Sequence, residues 1–254
     1  MHYSPIARDW ATNRDLFRVK RVHLETIDPP RPLNCALLHG WHSLYSPLLG
    51  LENALRALPG GENVRFWRVT YDTHWKTFGQ SAREIAIGLR KGGAIPQNTL
   101  LVGYSMGGIV SRAMIADGFN AAGALCLCSP HLGPAPWLPS GDIGSLSIAP
   151  WSARLARLNR HPTDIKRRGD YFFQAFTFAD ATGIRRHDRI VTEPSALGQG
   201  LEGVGMHCSH RLQYRGIAPG CDPHLHGMKP QFLPEALSWC ERKFAAMALA
   251  GVSL

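Results

Sequence analysis

Leu100-Leu101-Val102-Gly103-Tyr104-Ser105-Met106-Gly107-Gly108-Ile109-Val110 is the stretch on which the reading of this chain turns. A run of strand-forming apolar residues meets a Gly-x-Ser-x-Gly pentapeptide. Beyond it Met106, Ile109, Val110, Ala113 and Met114 recur with helical spacing on one face. The pattern predicts a strand that turns abruptly into a helix, with Ser105 at the corner. Glycine is needed at 103 and 107, where a Cβ would collide with a neighbouring backbone. The strained turn is expected to leave the Ser105 hydroxyl exposed at a helix N-terminus, where backbone N–H groups and the helix dipole favour developing negative charge. This is the signature of a nucleophile elbow, and Ser105 is the candidate nucleophile.

The 254 residues, 44% of them hydrophobic and 19% charged, suffice for one large α/β domain, and 1–254 is read as a single domain. No stretch approaches the roughly 18 uninterrupted apolar residues of a membrane span. Arg8, Asp9, Asn13, Arg14 and Asp15 interrupt the apolar run a secretory signal needs, so the expectation is a cytoplasmic protein, with secretion left open if the natural chain starts earlier. Six cysteines form no Cys-x-x-Cys pair. Cys35, Cys126 and Cys128 fall in predicted buried strands and read as reduced core thiols, while a Cys208–Cys221 bridge stays open. The net charge of +9 is scattered. Its tight clusters, Lys166-Arg167-Arg168 and Arg185-Arg186, read as solvated loops, so no nucleic-acid partner is expected. A transient contact with an anionic membrane surface remains open.

Strand and helix signals alternate along the chain, the pattern of a mainly parallel sheet flanked by helices. Strands are predicted at 33–38, 64–71, 98–104, 122–128, 171–178 and 211–217. Helices are predicted at 47–58, 81–90, after the elbow, and at 234–248. Between 129 and 168 the alternation fails: Pro130, Pro134, Pro136, Pro139 and Pro150 forbid long regular elements, yet Trp137, Leu138, Ile143, Leu146, Ile148 and Trp151 are too apolar for an ordinary exposed loop. This segment is expected to be an irregular cap or lid insertion. Trp137, Leu138, Leu146 and Trp151 are its candidates for lining a substrate pocket.

A serine hydroxyl is a poor nucleophile at neutral pH, so a base must take its proton and a carboxylate must orient that base. After an elbow serine, the acid is expected at the end of a later strand and the histidine after the last strand. Asp188, in His187-Asp188-Arg189-Ile190-Val191, is the chosen acid, with Asp180 its competitor. His224 and His226 both lie between the last predicted strand and the final helix; His226, before Gly227-Met228, is the first choice and His224 the alternative. His207 and His210 precede that strand and would face the wrong edge. An oxyanion needs pre-aimed donors. Met106 N–H, directly after the nucleophile, is one, and Trp41 N–H, where strand 33–38 ends at His39-Gly40-Trp41, is the other.

Taken together, these motifs resemble the α/β-hydrolase superfamily, and within it the bacterial lipase and esterase branch, over about residues 33–245. Leu37-Leu38-His39-Gly40-Trp41 is similar to that family's oxyanion strand. Gly103-Tyr104-Ser105-Met106-Gly107-Gly108 is similar to its usual elbow, with Tyr104 where a histidine is common. Ser129-Pro130-His131-Leu132-Gly133, Leu155 through Leu158-Asn159, and Asp188-Arg189-Ile190-Val191 with Ser195-Ala196 match later family segments in the right order. The histidine loop departs from the pattern by carrying two candidates, and no aspartate pair reproduces the calcium site of some secreted lipases, so no metal or cofactor is implied. The resemblance implies an α/β-hydrolase fold and a serine hydrolase that cleaves a small-molecule or lipid carboxylic ester through an acyl-serine intermediate. An acyltransferase or thioesterase would use the same groups, and a non-catalytic binding protein of this fold is the alternative of another class.

Overall fold

The computed structural model describes residues 21–43, 45–135, 141–180, 183–213 and 222–251. Strand β2 (Leu33–Leu38) is buried along its whole length. Its side chains alternate between two cores, Leu33, Cys35 and Leu37 to one, Ala36 and Leu38 to the other. A strand apolar on both faces takes a central place in a sheet covered on both sides. Strand β4 (Thr99–Tyr104) does the same, sending Leu101 to one core and Leu100, Val102 and Tyr104 to the other.

Around these two run β1 (His23–Glu25), β3 (Val64–Thr70), β5 (Gly123–Leu127), β6 (Tyr171–Asp180), β7 (Gly183–Arg185) and β8 (Met206–Gln213). The order is β1-β3-β2-β4-β5-β6, with β7 and β8 both paired to β6. Pairing is parallel except for β1 and the short β7. Helices α1 (Leu49–Arg56), α2 (Phe78–Lys91), α3 (Met106–Ala116), α4 (Ile143–Ser147), α5 (Ala153–Asn159), α6 (Pro162–Arg167), α7 (Glu193–Ala196), α8 (Pro223–His226) and α9 (Pro234–Gly251) complete the described chain. Helices α2 and α3 pack Ile85, Leu89, Ile109 and Val110 into one core; α1 and α9 pack Leu51, Leu55, Trp239 and Phe244 into the other. Among the described residues, no helix is long and apolar enough to cross a membrane.

Three departures from the expected elements have local causes. Helix α2 begins three residues earlier than predicted because Thr77 and Gln80 form a capping box. Strand β8 lies upstream of the predicted 211–217, pairing Met206 with Phe172 and continuing to Gln213 with Ala179. It is a largely exposed edge strand, so His207 and His210 sit within it rather than before it, and its apolar pattern is weak. The 129–168 segment is less irregular than expected: α4 and α5 are nucleated by the side-chain caps Asp142 and Ser152.

Arg168, expected in a solvated cluster, is instead fully buried. Asp164, also buried, takes Arg168 Nη2 at 2.8 Å and Arg112 Nη2 at 2.7 Å on one carboxylate oxygen. Arg112, on α3, also reaches Asn159 Oδ1 at 2.9 Å and His131 Nδ1 at 3.0 Å. Burial and the two arginine charges push the His131 pKa well down, so the ring is neutral and accepts that bond. The network ties the inserted helices to the helix that follows Ser105. Removing Asp164 strands two buried cations, a loss of about 3–5 kcal/mol. Urea unfolding of Asp164→Ala should show that destabilisation, whereas Lys166→Ala, at the exposed neighbour, should stay within about 0.5 kcal/mol of wild type.

Candidate active site

Between β4 and α3, Ser105 holds φ 52° and ψ −122°, a left-handed backbone that a non-glycine residue adopts only under strain. Its N–H donates to Leu127 O at 2.7 Å, pinning the turn to β5. A Cβ at Gly107 would stand 2.3 Å from Leu38 O, and one at Gly103 2.3 Å from Gly107 C. Both positions therefore require glycine. The serine is not left out in solvent as expected. It is only 7% exposed, because the loop after β2 packs over it: a Cβ on Gly40 would meet Ser105 Cβ at 2.9 Å.

That same loop carries Trp41, whose N–H is the second donor expected from the sequence. Burial lowers the His39 pKa to about 4, against a backbone hydrogen bond to Gly40, so the ring is neutral. Its Nε2 accepts Tyr71 N–H at 3.2 Å, which leaves Nδ1–H to donate to Gly40 O at 2.8 Å. Across a trans peptide, the Trp41 N–H points opposite to the carbonyl so held. Met106 opens α3, and N–H groups in a first helical turn have no acceptor within the helix. Met106 directly follows Ser105, and the Trp41 N–H belongs to the peptide after Gly40, which packs on Ser105.

Asp188 is buried in the turn after β7. Its Oδ1 accepts the N–H groups of Ile190 at 3.0 Å and Val191 at 2.7 Å, and its Oδ2 receives His224 Nδ1 at 2.6 Å. The structure thus brings His224, the alternative candidate, onto Asp188. The reason lies in the cap. Asp222 caps α8, accepting His224 N–H at 3.0 Å, and Pro223 follows at the first helical position. Positions 224 and 226 of one helical turn stand about 200° apart around its axis, so one of the two can face Asp188. The side chains of His226 and Asp180 lie outside the described residues.

Burial opposes a charged His224 ring, but the Asp188 charge and hydrogen bond, helped by Asp222, outweigh it and raise the pKa above the ordinary 6.5. The His224 ring centroid is 4.8 Å from that of Tyr104, the residue before Ser105. Among the described residues no hydrogen bond joins the ring to Ser105 Oγ, a looseness common in unliganded sites.

The positions of Cys128 and Asp222 beside the site escaped the sequence reading. Cys128 is the buried free thiol expected, and it also has φ 49° and lies in one cluster with Asp188 and His224. Burial first, then the Asp188 charge, pushes its thiol pKa well up, so it stays a protonated neighbour of the carboxylate. Only the fold brings it there. Asp222 had a readable signal, the Asp-Pro start of a helical turn. Beside α8 a cavity of about 290 Å³ is lined by Pro47, Gly50, Asp222, Leu225, Met228, Lys229 and Pro230.

Of the expected pocket residues, Leu146 and Trp151 are exposed, while Ile148 is buried in the core with Leu155 and Leu158. Trp137 and Leu138 lie outside the described residues, as does Cys221 of the Cys208–Cys221 pairing.

A family model for the alpha/beta hydrolase family matches residues 36–251. No protein of curated function matches the sequence. Among solved structures, the mature form of Bacillus licheniformis lipase BlEst2 superposes with a TM-score of 0.60 at 16% identity, over 85% of this chain and 96% of that one. The Paleococcus ferrophilus monoacylglycerol lipase gives 0.55 at 12%, over 88% and 99%. The Bacillus subtilis carboxylesterase CesB gives 0.50 at 11%, over 91% and 95%. At such identities the likeness is one of fold.

A base must be neutral to work, so a raised His224 pKa places the acid limb of kcat/KM above pH 6.5. Asp188→Asn removes the charge that raises it and leaves the burial, so the limb should move to lower pH while the rate falls. Pre-steady-state or steady-state pH profiles on any turned-over ester check this. His224→Ala should abolish turnover and His226→Ala leave most of it; the opposite pair of results would return the base to His226.

Proposed function

We propose, on the premise that this chain belongs to the alpha/beta hydrolase family, that it is a serine hydrolase of carboxylic esters. The observation that carries this reading is the 2.6 Å contact between His224 Nδ1 and Asp188, buried beside the strained Ser105 turn. In the proposed reaction His224 Nε2 takes the Ser105 proton as Oγ adds to the ester carbonyl. Trp41 and Met106 N–H groups hold the resulting oxyanion; each such donor supplies about 3–4 kcal/mol where others of its kind have been removed. The imidazolium, steadied by Asp188, then gives its proton to the departing alcohol as the C–O bond breaks and leaves an acyl-serine. Water enters, His224 takes its proton, and the same steps run back to free serine and acid.

The proposed substrates carry medium or long acyl chains. Trp75, Ile143, Leu146, Trp151 and Leu225 are all exposed apolar side chains on the loops and short helices outside the sheet. The cavity beside α8 offers Pro47, Leu225 and Met228 next to the proposed base. The 129–168 insertion is the proposed cap, and lipid or small-molecule esters are the proposed partners.

Ser105→Ala should lower ester hydrolysis by at least about a thousandfold with an unchanged unfolding midpoint, since triad members act as a unit. Wild-type turnover by that variant would remove the serine mechanism. On a series of p-nitrophenyl esters below their micellar concentrations, each added CH₂ is worth up to about 0.8 kcal/mol, or about fourfold in kcat/KM, until the recess is full. Equal turnover of acetate and octanoate esters would leave the hydrolase reading standing and remove the acyl preference.

A further inference from the structure

Away from Ser105, three segments distant in sequence converge on one carboxylate oxygen. Asp142 Oδ2 lies 3.2 Å from His42 Nε2 and 3.2 Å from His74 Nδ1, and the three ligand atoms are all within 4.8 Å of one another. His42 follows the Gly40-Trp41 turn, His74 the end of β3, and Asp142 caps α4 in the insertion.

Two imidazoles and a carboxylate form a donor set that suits Zn²⁺. In a tetrahedral site with bonds of about 2.0–2.1 Å, ligand atoms stand about 3.3–3.4 Å apart. The two measured separations are already close to that edge. The carboxylate is also oriented from outside, as the groups behind metal ligands generally are. Its Oδ1 accepts Ser145 N–H at 2.7 Å, and Trp41 Nε1–H reaches Oδ1 at 3.2 Å and Oδ2 at 3.0 Å. The backbone of both histidines is held too, His42 N–H on Thr73 Oγ1 at 3.3 Å and His74 O by Gly144 N–H at 3.0 Å. His74 is buried, whereas the His42 and Asp142 side chains keep 15% and 17% of their surface, enough for an ion to reach them and keep a water as a further ligand.

A purely hydrogen-bonded cluster accounts for these contacts less well. It would crowd two imidazoles and an indole onto one carboxylate oxygen at 3.0–3.2 Å, where charge-assisted bonds run about 2.7–2.9 Å. Where a single imidazole meets a carboxylate oxygen, as His224 Nδ1 meets Asp188 Oδ2, the contact closes to 2.6 Å.

We propose that His42, His74 and Asp142 bind one zinc-class divalent cation. The ion clips the loop carrying Trp41, the β3–α2 connection and the 129–168 segment together, closing loops of tens of residues. No sequence motif announces it, because the three ligands come from three separate segments.

Zinc uptake by tag-free protein tests this, measured by elemental analysis after chelator stripping and by competition with a chromophoric chelator. Wild type should bind one zinc per chain, and its melting temperature should rise on zinc addition. Asp142→Asn keeps an acceptor for Ser145 N–H and so keeps the helix cap. Changing groups behind the ligands alone costs about 10–100-fold in affinity, so Asp142→Asn and His74→Ala should each lose more than about 100-fold. Stripped wild type that binds no zinc overturns the proposal. So does equal binding by wild type and Asp142→Asn, which would place the ion on others of the twelve histidines.

Discussion

The backbone of α3 comes so close to the end of β2 that position 107 has no room for a side chain: a Cβ there would sit 2.3 Å from Leu38 O and 2.8 Å from His39 O. Everything at the catalytic edge of the sheet follows from this approach. It forces the strand-to-helix turn to be tight, which places Ser105 at φ 52° and leaves the first N–H groups of α3 beside its hydroxyl. It also brings the residues after β2 against the same serine, so Ser105 and the Gly40-Trp41 loop meet through two adjacent parallel strands. The strain of about 1–3 kcal/mol at such a residue is held by the Ser105–Leu127 hydrogen bond and by two fully buried strands on either side.

The far half of the sheet supplies the other two groups. Asp188 is fixed by two backbone N–H groups before it ever meets His224, so the imidazole closes onto a carboxylate that is already oriented. The turn that presents His224 is short, four residues, and owes its direction to the Asp222 cap and Pro223 rather than to helix length. Protonated Cys128 and half-buried Asp222 crowd the same pair with a thiol and a second carboxyl. The charge balance around His224 is therefore set by Asp188 together with Asp222.

Legibility followed the range of the interactions. The elbow is local: seven residues hold both glycines, the serine and the periodicity switch, and the strand and helix around it lie where the pattern puts them. The α/β alternation is likewise carried by short-range patterns, because buried parallel strands are apolar on both faces. Strand β8 was misplaced because an edge strand, Met206–Gln213, is defined by its pairing with β6 and not by its own hydrophobicity. Arg168 was read as solvated because charge alone says nothing of a buried partner 4 residues away. Spacing alone does not separate His224 from His226; the Asp222-Pro223 cap orients the short turn so that His224 meets Asp188. The His42, His74 and Asp142 cluster had no linear signature, being assembled by tertiary packing alone.

Activation of Ser105 as a nucleophile is the property on which the proposed chemistry depends. Incubation with a fluorophosphonate, followed by peptide mapping by mass spectrometry, reads this directly, since the reagent phosphonylates a serine only where a base removes its proton and donors hold the oxyanion. The label should fall on Ser105 alone, at a rate that collapses in the His224→Ala protein. A folded wild-type protein that takes no label, or takes it equally well without His224, would contradict the Ser105–His224–Asp188 assignment.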